Sequence, residues 1–172
     1  MPKKPSSRRE KQLGQLGLHT SSYGFVLLEW NDYEILIEMG IRNLLGITSR
    51  EAHIVFGALA FKPKFSILMA LARQKNLAGH DAIQLAKSIN KYAERNHLIH
   101  GYAWHEGETI GFVKRNVDDR LRVSERKFSQ NELAMHAIWL IGAVERFQEA
   151  LGITSREIAG YRRSAESLLK KP

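Results

Sequence analysis

Apolar residues recur at helical spacing over most of the chain and lose that spacing in one central stretch. Over 23–45, Phe25, Leu28, Ile35, Ile37, Met39, Leu44 and Leu45 recur at mixed helical intervals among acids, which predicts a long amphipathic helix. Gly46 suits the left-handed residue that ends a helix. Thr48 with Glu51 then forms a capping box, with Ile47 placed as a hydrophobic staple, and a second helix is expected to about Phe61. Pro63 stops that helix or opens a third, which Phe65, Ile67, Leu68, Met69, Leu71 and Ala72 carry to about Leu77. After the break at Ala78-Gly79-His80, Asp81 caps a fourth helix. It carries Ile83, Leu85, Ala86, Ile89, Tyr92 and Ala93 straight into Arg95, Asn96 and His100, and Gly101 closes it.

Between Tyr102 and about Phe128 the helical period disappears. Residues 104–113 have glycines at turn-like spacing between apolar positions, a hairpin pattern, and Arg120-Leu121-Arg122-Val123 alternates as a further candidate strand. Helical spacing then returns at 130–151 and again from Thr154 to about Lys170. The fold class expected is all-α, with a small β-hairpin or irregular insert after the fourth helix.

Leu45-Gly46-Ile47-Thr48-Ser49-Arg50-Glu51 recurs without change as Leu151-Gly152-Ile153-Thr154-Ser155-Arg156-Glu157. The flanks do not repeat, so this is one connector used twice and not a duplicated domain. In each copy Gly stops a helix and a capping box starts the next.

With 172 residues, 44% of them apolar, the chain can bury one proper core. The domain expected is 23–172, preceded by a basic arm over 1–22 that holds Lys3, Lys4, Arg8, Arg9 and Lys11 against Glu10. The first half of the arm lacks apolar periodicity and is expected to be disordered, either tracking a phosphate backbone or solubilising the chain. The balance of 26 Lys and Arg against 18 acids, +8 overall, favours polyanionic partners. The absence of cysteine removes disulfides, thiolate metal sites and cysteine nucleophiles. No secretory pattern and no apolar run long enough to span a membrane occur, so a soluble cytoplasmic protein with no membrane partner is expected.

Candidate chemistry concentrates in 93–104. A metal site could be drawn from His97, His100, His105 and Glu106 or Glu108, but solvated or capping histidines explain these residues better, and neither a metal nor a cofactor is expected. A helix-turn-helix beginning at Arg156-Glu157 would need a recognition helix that the chain does not supply. Arg95, Asn96 and His100 make the stronger case. Arg offers a planar fork for phosphate, and His titrates near neutrality and can move the proton of a ribose hydroxyl, which suffices for metal-free RNA cleavage. On one continuous helix Asn96 stacks with His100, whereas Arg95 lies about 140° away and reaches the same site by its length, by fraying at Gly101 or from a second subunit, the last being the expected way to complete its site. Trp104 either stacks on a base or packs under the helix end.

Arg95-Asn96-x-x-x-His100 resembles the Arg, polar residue, His signature of the HEPN superfamily, and the run from Glu94 to Trp104 is similar to that of uncharacterised bacterial members. The order of helices, insert and further helices over about 23–170 fits the same plan. The resemblance implies an α-helical bundle, often a homodimer, with a metal-independent endoribonuclease site at Arg95 and His100 supported by Asn96. Lys3, Lys4, Arg8, Arg9 and Trp104 would contact RNA. Such proteins recur as toxins paired with antitoxins and in defence systems, and many relatives are non-catalytic modules that bind RNA or a protein partner.

Overall fold

The computed structural model describes the backbone of residues 8–117 and 121–169 and the side chains of 17–115 and 122–168. It is mostly helical, about 70%, with a small antiparallel sheet where the helical period is lost. The elements are α1 (Arg8–Leu45), α2 (Ser49–Phe56), α3 (Phe61–Gln74), α4 (Asp81–Tyr92), α5 (Arg95–Leu98), β1 (Tyr102–Glu106), β2 (Thr109–Val117), β3 (Leu121–Ser129), α6 (Gln130–Ala150) and α7 (Ser155–Leu169). No described helix is long and apolar enough to cross a membrane. The described residues fall into two compact units, one of 8–29 with 91–117 and 121–141, the other of 30–90 with 142–169.

In the first unit the strands pair in the order β1-β2-β3. Gly107, at φ 57°, makes the tight turn that brings Glu106 opposite Thr109. This register puts Ile110, Phe112 and Phe128 on one face, where all three are buried. Tyr23 of α1 packs on Phe112 at 5.4 Å, and buried His19 meets the His105 ring edge-on at 5.6 Å. α1 starts at Arg8 and not near Tyr23, and these contacts tie its turns at His19 and Tyr23 to the sheet. Packing on the sheet supplies what the local sequence, with Gly14 and Gly17, lacks. Arg8 and Arg9 therefore stand in the first turn of a helix, while Lys3 and Lys4 lie outside the described residues.

The second unit is built on aromatic packing. Trp30 lies 4.7 Å from Phe61 and 5.1 Å from Tyr33, Tyr33 lies 5.4 Å from Phe147, and the Tyr33 hydroxyl donates to the Ala86 carbonyl at 2.7 Å. Buried Lys64 donates to Glu34 at 2.8 Å and Glu38 at 2.6 Å, and Tyr161 donates to the other oxygen of Glu38 at 2.7 Å. Burial alone would lower the Lys64 pKa, but the two carboxylates outweigh it and hold the ammonium charged.

Both copies of the repeated connector behave as their sequence predicts. Gly46 and Gly152 take φ of 69° and 65°, and Thr48 and Thr154 each exchange capping-box hydrogen bonds with Glu51 and Glu157. Other expectations change. The second helix stops at Phe56, so Pro63 sits inside the first turn of α3, where its missing N–H costs nothing. His80, not Asp81, holds the cap position of α4, with Nδ1 accepting from the Ala82 N–H at 3.4 Å. Along α1 the buried apolar side chains are Val26, Trp30, Tyr33, Leu36, Ile37, Met39 and Ile41, whereas Phe25, Leu28 and Leu45 face solvent.

Candidate functional site

The expected run of the fourth helix into the motif does not occur. α4 ends at Tyr92, and Glu94 adopts a left-handed backbone with φ 49°. That conformation costs a residue with a Cβ about 1 kcal/mol, so tertiary contacts must hold it. Two do: the His136 Nε2–H donates to the Ala93 carbonyl at 3.2 Å, and the Glu94 carboxylate lies 3.5 Å from Arg126 Nε. Locally, the Glu94 carbonyl accepts from the N–H groups of His97 and Leu98 at 2.9 and 3.0 Å.

After this break, α5 forms one short turn. Leu98 is buried and anchors it, and the Leu98 carbonyl accepts from the Tyr23 hydroxyl at 2.6 Å. Gly101 then passes so close to the His97 carbonyl that any Cβ would collide with it, and the chain enters β1. Because the helix is left before His100, the angular separation computed for a continuous helix no longer applies. The Arg95 Nη1–H donates to His100 Nε2 at 2.9 Å within one chain. A second subunit is not required to bring this pair together. The pairing expected of Asn96 with His100 is replaced by this one, and Asn96 is exposed, with no hydrogen bond to His100.

His100 faces solvent, and its pKa lies below the usual value. Burial of the ring atoms lowers it most, followed by the positive charges of Arg95 and Lys114. The ring is therefore neutral at pH 7 and carries its proton on Nδ1, since Nε2 accepts from Arg95. His97 does not converge with it. Its Nδ1–H donates to Glu94 at 3.2 Å and its Nε2 meets the Ser124 hydroxyl at 3.1 Å. His105 packs on His19, so the drawn metal cluster is split between separate partners.

Trp104 lies on the sheet face opposite Phe112. Its indole crosses Gly111 so closely that a Cβ there would overlap the ring, and Lys127 Nζ sits 4.7 Å from the ring centroid. Tyr102 shares this outer face, is 68% exposed and has the Arg115 guanidinium 5.3 Å from its ring. Lys114 and the left-handed backbone of Glu94 escaped the sequence reading. The alternation of β2 could have put Lys114 on the face of Phe112, but the left-handed turn at Glu94 has no local signal.

Comparison with protein families, curated proteins and solved structures found no match.

Proposed function

We propose that this chain is a metal-independent endoribonuclease of HEPN type, with Arg95 and His100 as its catalytic pair. The observation that carries the reading is the 2.9 Å Arg95–His100 hydrogen bond at a solvent-open segment. A guanidinium and a neutral imidazole in contact are the two parts that 2′-hydroxyl attack on phosphorus needs. A substrate phosphate competes for the Arg95 fork and frees His100 Nε2. The imidazole takes the 2′-hydroxyl proton, the 2′-oxygen bonds to phosphorus, the bond to the 5′-oxygen breaks, and that oxygen takes a proton from the imidazolium. Products carry 2′,3′-cyclic phosphate and 5′-hydroxyl ends.

Asn96, exposed beside Arg95, would support the site from the side open to a substrate. Lys3, Lys4, Arg8 and Arg9 add sequence-independent attraction to RNA. The exposed Leu18, Phe25 and Leu28 of α1 offer an apolar surface to a second copy, in keeping with a homodimer. A toxin or defence role, with an antitoxin as partner, follows from the family resemblance alone. A second reading, a non-catalytic module that binds RNA or a protein partner, is favoured by the outer sheet face with Tyr102, Trp104, Arg115 and Lys127. Incubating the purified chain with RNA in EDTA beside the His100→Ala variant separates the two. Cleavage by the parent alone supports the nuclease, and retained RNA without cleavage supports the module.

A further inference from the structure

We propose that Lys114 is the third member of this site, a phosphate-binding side chain that acts with Arg95 to hold a phosphate oxyanion against His100. The proposal deepens the ribonuclease reading and rests on it for the identity of the substrate, though not for the anion site itself.

The sheet register places the residue. Phe112 and Lys114 are two apart on β2 and share its inner face, and the direct partner of Lys114 on β3 is Ser124. Ser124 is the residue whose hydroxyl meets His97 of α5 at 3.1 Å. At the other end of the same segment, a Cβ on Gly101 would come within 3.2 Å of the Phe112 Cβ. Residues 97–101 thus lie along Phe112 and Lys114, which puts Lys114 on the sheet face beside the motif, with Arg95 on α5. The electrostatic effect of Lys114 on His100 agrees with this placement.

The acid nearest the motif in sequence is already committed. Glu94 holds His97 through one oxygen and Arg126 through the other, and among the described residues no carboxylate pairs with Lys114. Around His100, then, α5 contributes Arg95 and β2 contributes Lys114, while the Glu94–His97–Ser124 contacts stay on the flank. The guanidinium supplies a fork and the ammonium a compact point charge, a complementary pair for the nonbridging oxygens of one phosphate. A dication or a neutral ligand gains nothing from such a pair.

Inorganic phosphate is the probe, and the ring signals of His100 in the full chain, followed by NMR against pH and phosphate, are the readout. In the parent, phosphate shifts the His100 signals saturably and raises its titration midpoint. In Lys114→Gln the phosphate-free midpoint rises and phosphate binds about tenfold more weakly or worse, the loss expected for one charge-assisted contact. Lys114→Arg restores most of the binding. RNA turnover by Lys114→Gln, where the parent cleaves, shows a larger rise in KM than fall in kcat. Equal phosphate binding by the parent and a folded Lys114→Gln overturns the proposal, whether or not RNA is cleaved. Lys114-dependent phosphate binding in a chain that cleaves no RNA sinks the nuclease reading and leaves the anion site standing.

Discussion

The Arg95 guanidinium donates to His100 Nε2, the ring nitrogen that would take a proton from substrate. Each residue thereby sets the state of the other. The positive charge of Arg95 favours the neutral imidazole, and the ring nitrogen in turn accepts from the Arg95 fork.

This coupling has a sign. Replacing Arg95 with Ala removes a charge that lowers the His100 pKa, so the midpoint rises towards the ordinary value of about 6.5. Because the folded-state pKa of His100 is depressed, its contribution to stability is present above the unfolded-state value and is lost as pH falls through the folded one. Acid destabilisation should therefore be shallower in Arg95→Ala than in the parent. NMR titration and thermal melts between pH 5 and 7.5 check both statements.

Trp104 and Gly111 should behave as a coupled pair. A methyl at position 111 overlaps the indole, so Gly111→Ala is expected to cost about 1–3 kcal/mol, the range for overpacking. Against Trp104→Ala the same substitution should cost much less, and the double-mutant cycle should return a coupling of that order. Additive effects would mean that the indole does not lie on the glycine.

Breaking the buried network in the second unit should be severe. Lys64→Met leaves Glu34 and Glu38 without their cation, and losing one member of a buried ion pair costs about 3–5 kcal/mol. Denaturant unfolding at pH 7 measures the loss.

The two connectors make equal predictions from equal chemistry. Thr48→Ala and Thr154→Ala each remove a side-chain cap and should each cost about 1 kcal/mol by denaturant unfolding.

How much of this was legible follows the range of the forces involved. The connectors were readable because Gly and the Thr-x-x-Glu box fix the backbone with residues that are neighbours in sequence. The sheet was readable from its alternation and its turn at Gly107. A third capping box, Ser129 with Glu132 at the start of α6, has the same local signature and went unread. The break at Glu94 could not be read, because neither glycine nor proline marks it. It is held by His136 and Arg126, which are distant in sequence. The same holds for α1, where apolar residues occupy several faces and packing alone decides that Tyr33 is buried and Leu28 is not. The site suffered from the first of these. A continuous helix pairs Asn96 with His100, and the broken one pairs Arg95 with it.

The measurement that tests the central claim most directly uses one RNA strand with a single 2′-deoxy substitution at a mapped cleavage position, incubated in EDTA with the parent chain and with His100→Ala. The account predicts that the parent cleaves the all-ribose strand to a 2′,3′-cyclic phosphate, that the deoxy position resists, and that His100→Ala cleaves neither. Cleavage at the deoxy position, or undiminished cleavage by His100→Ala, would contradict it.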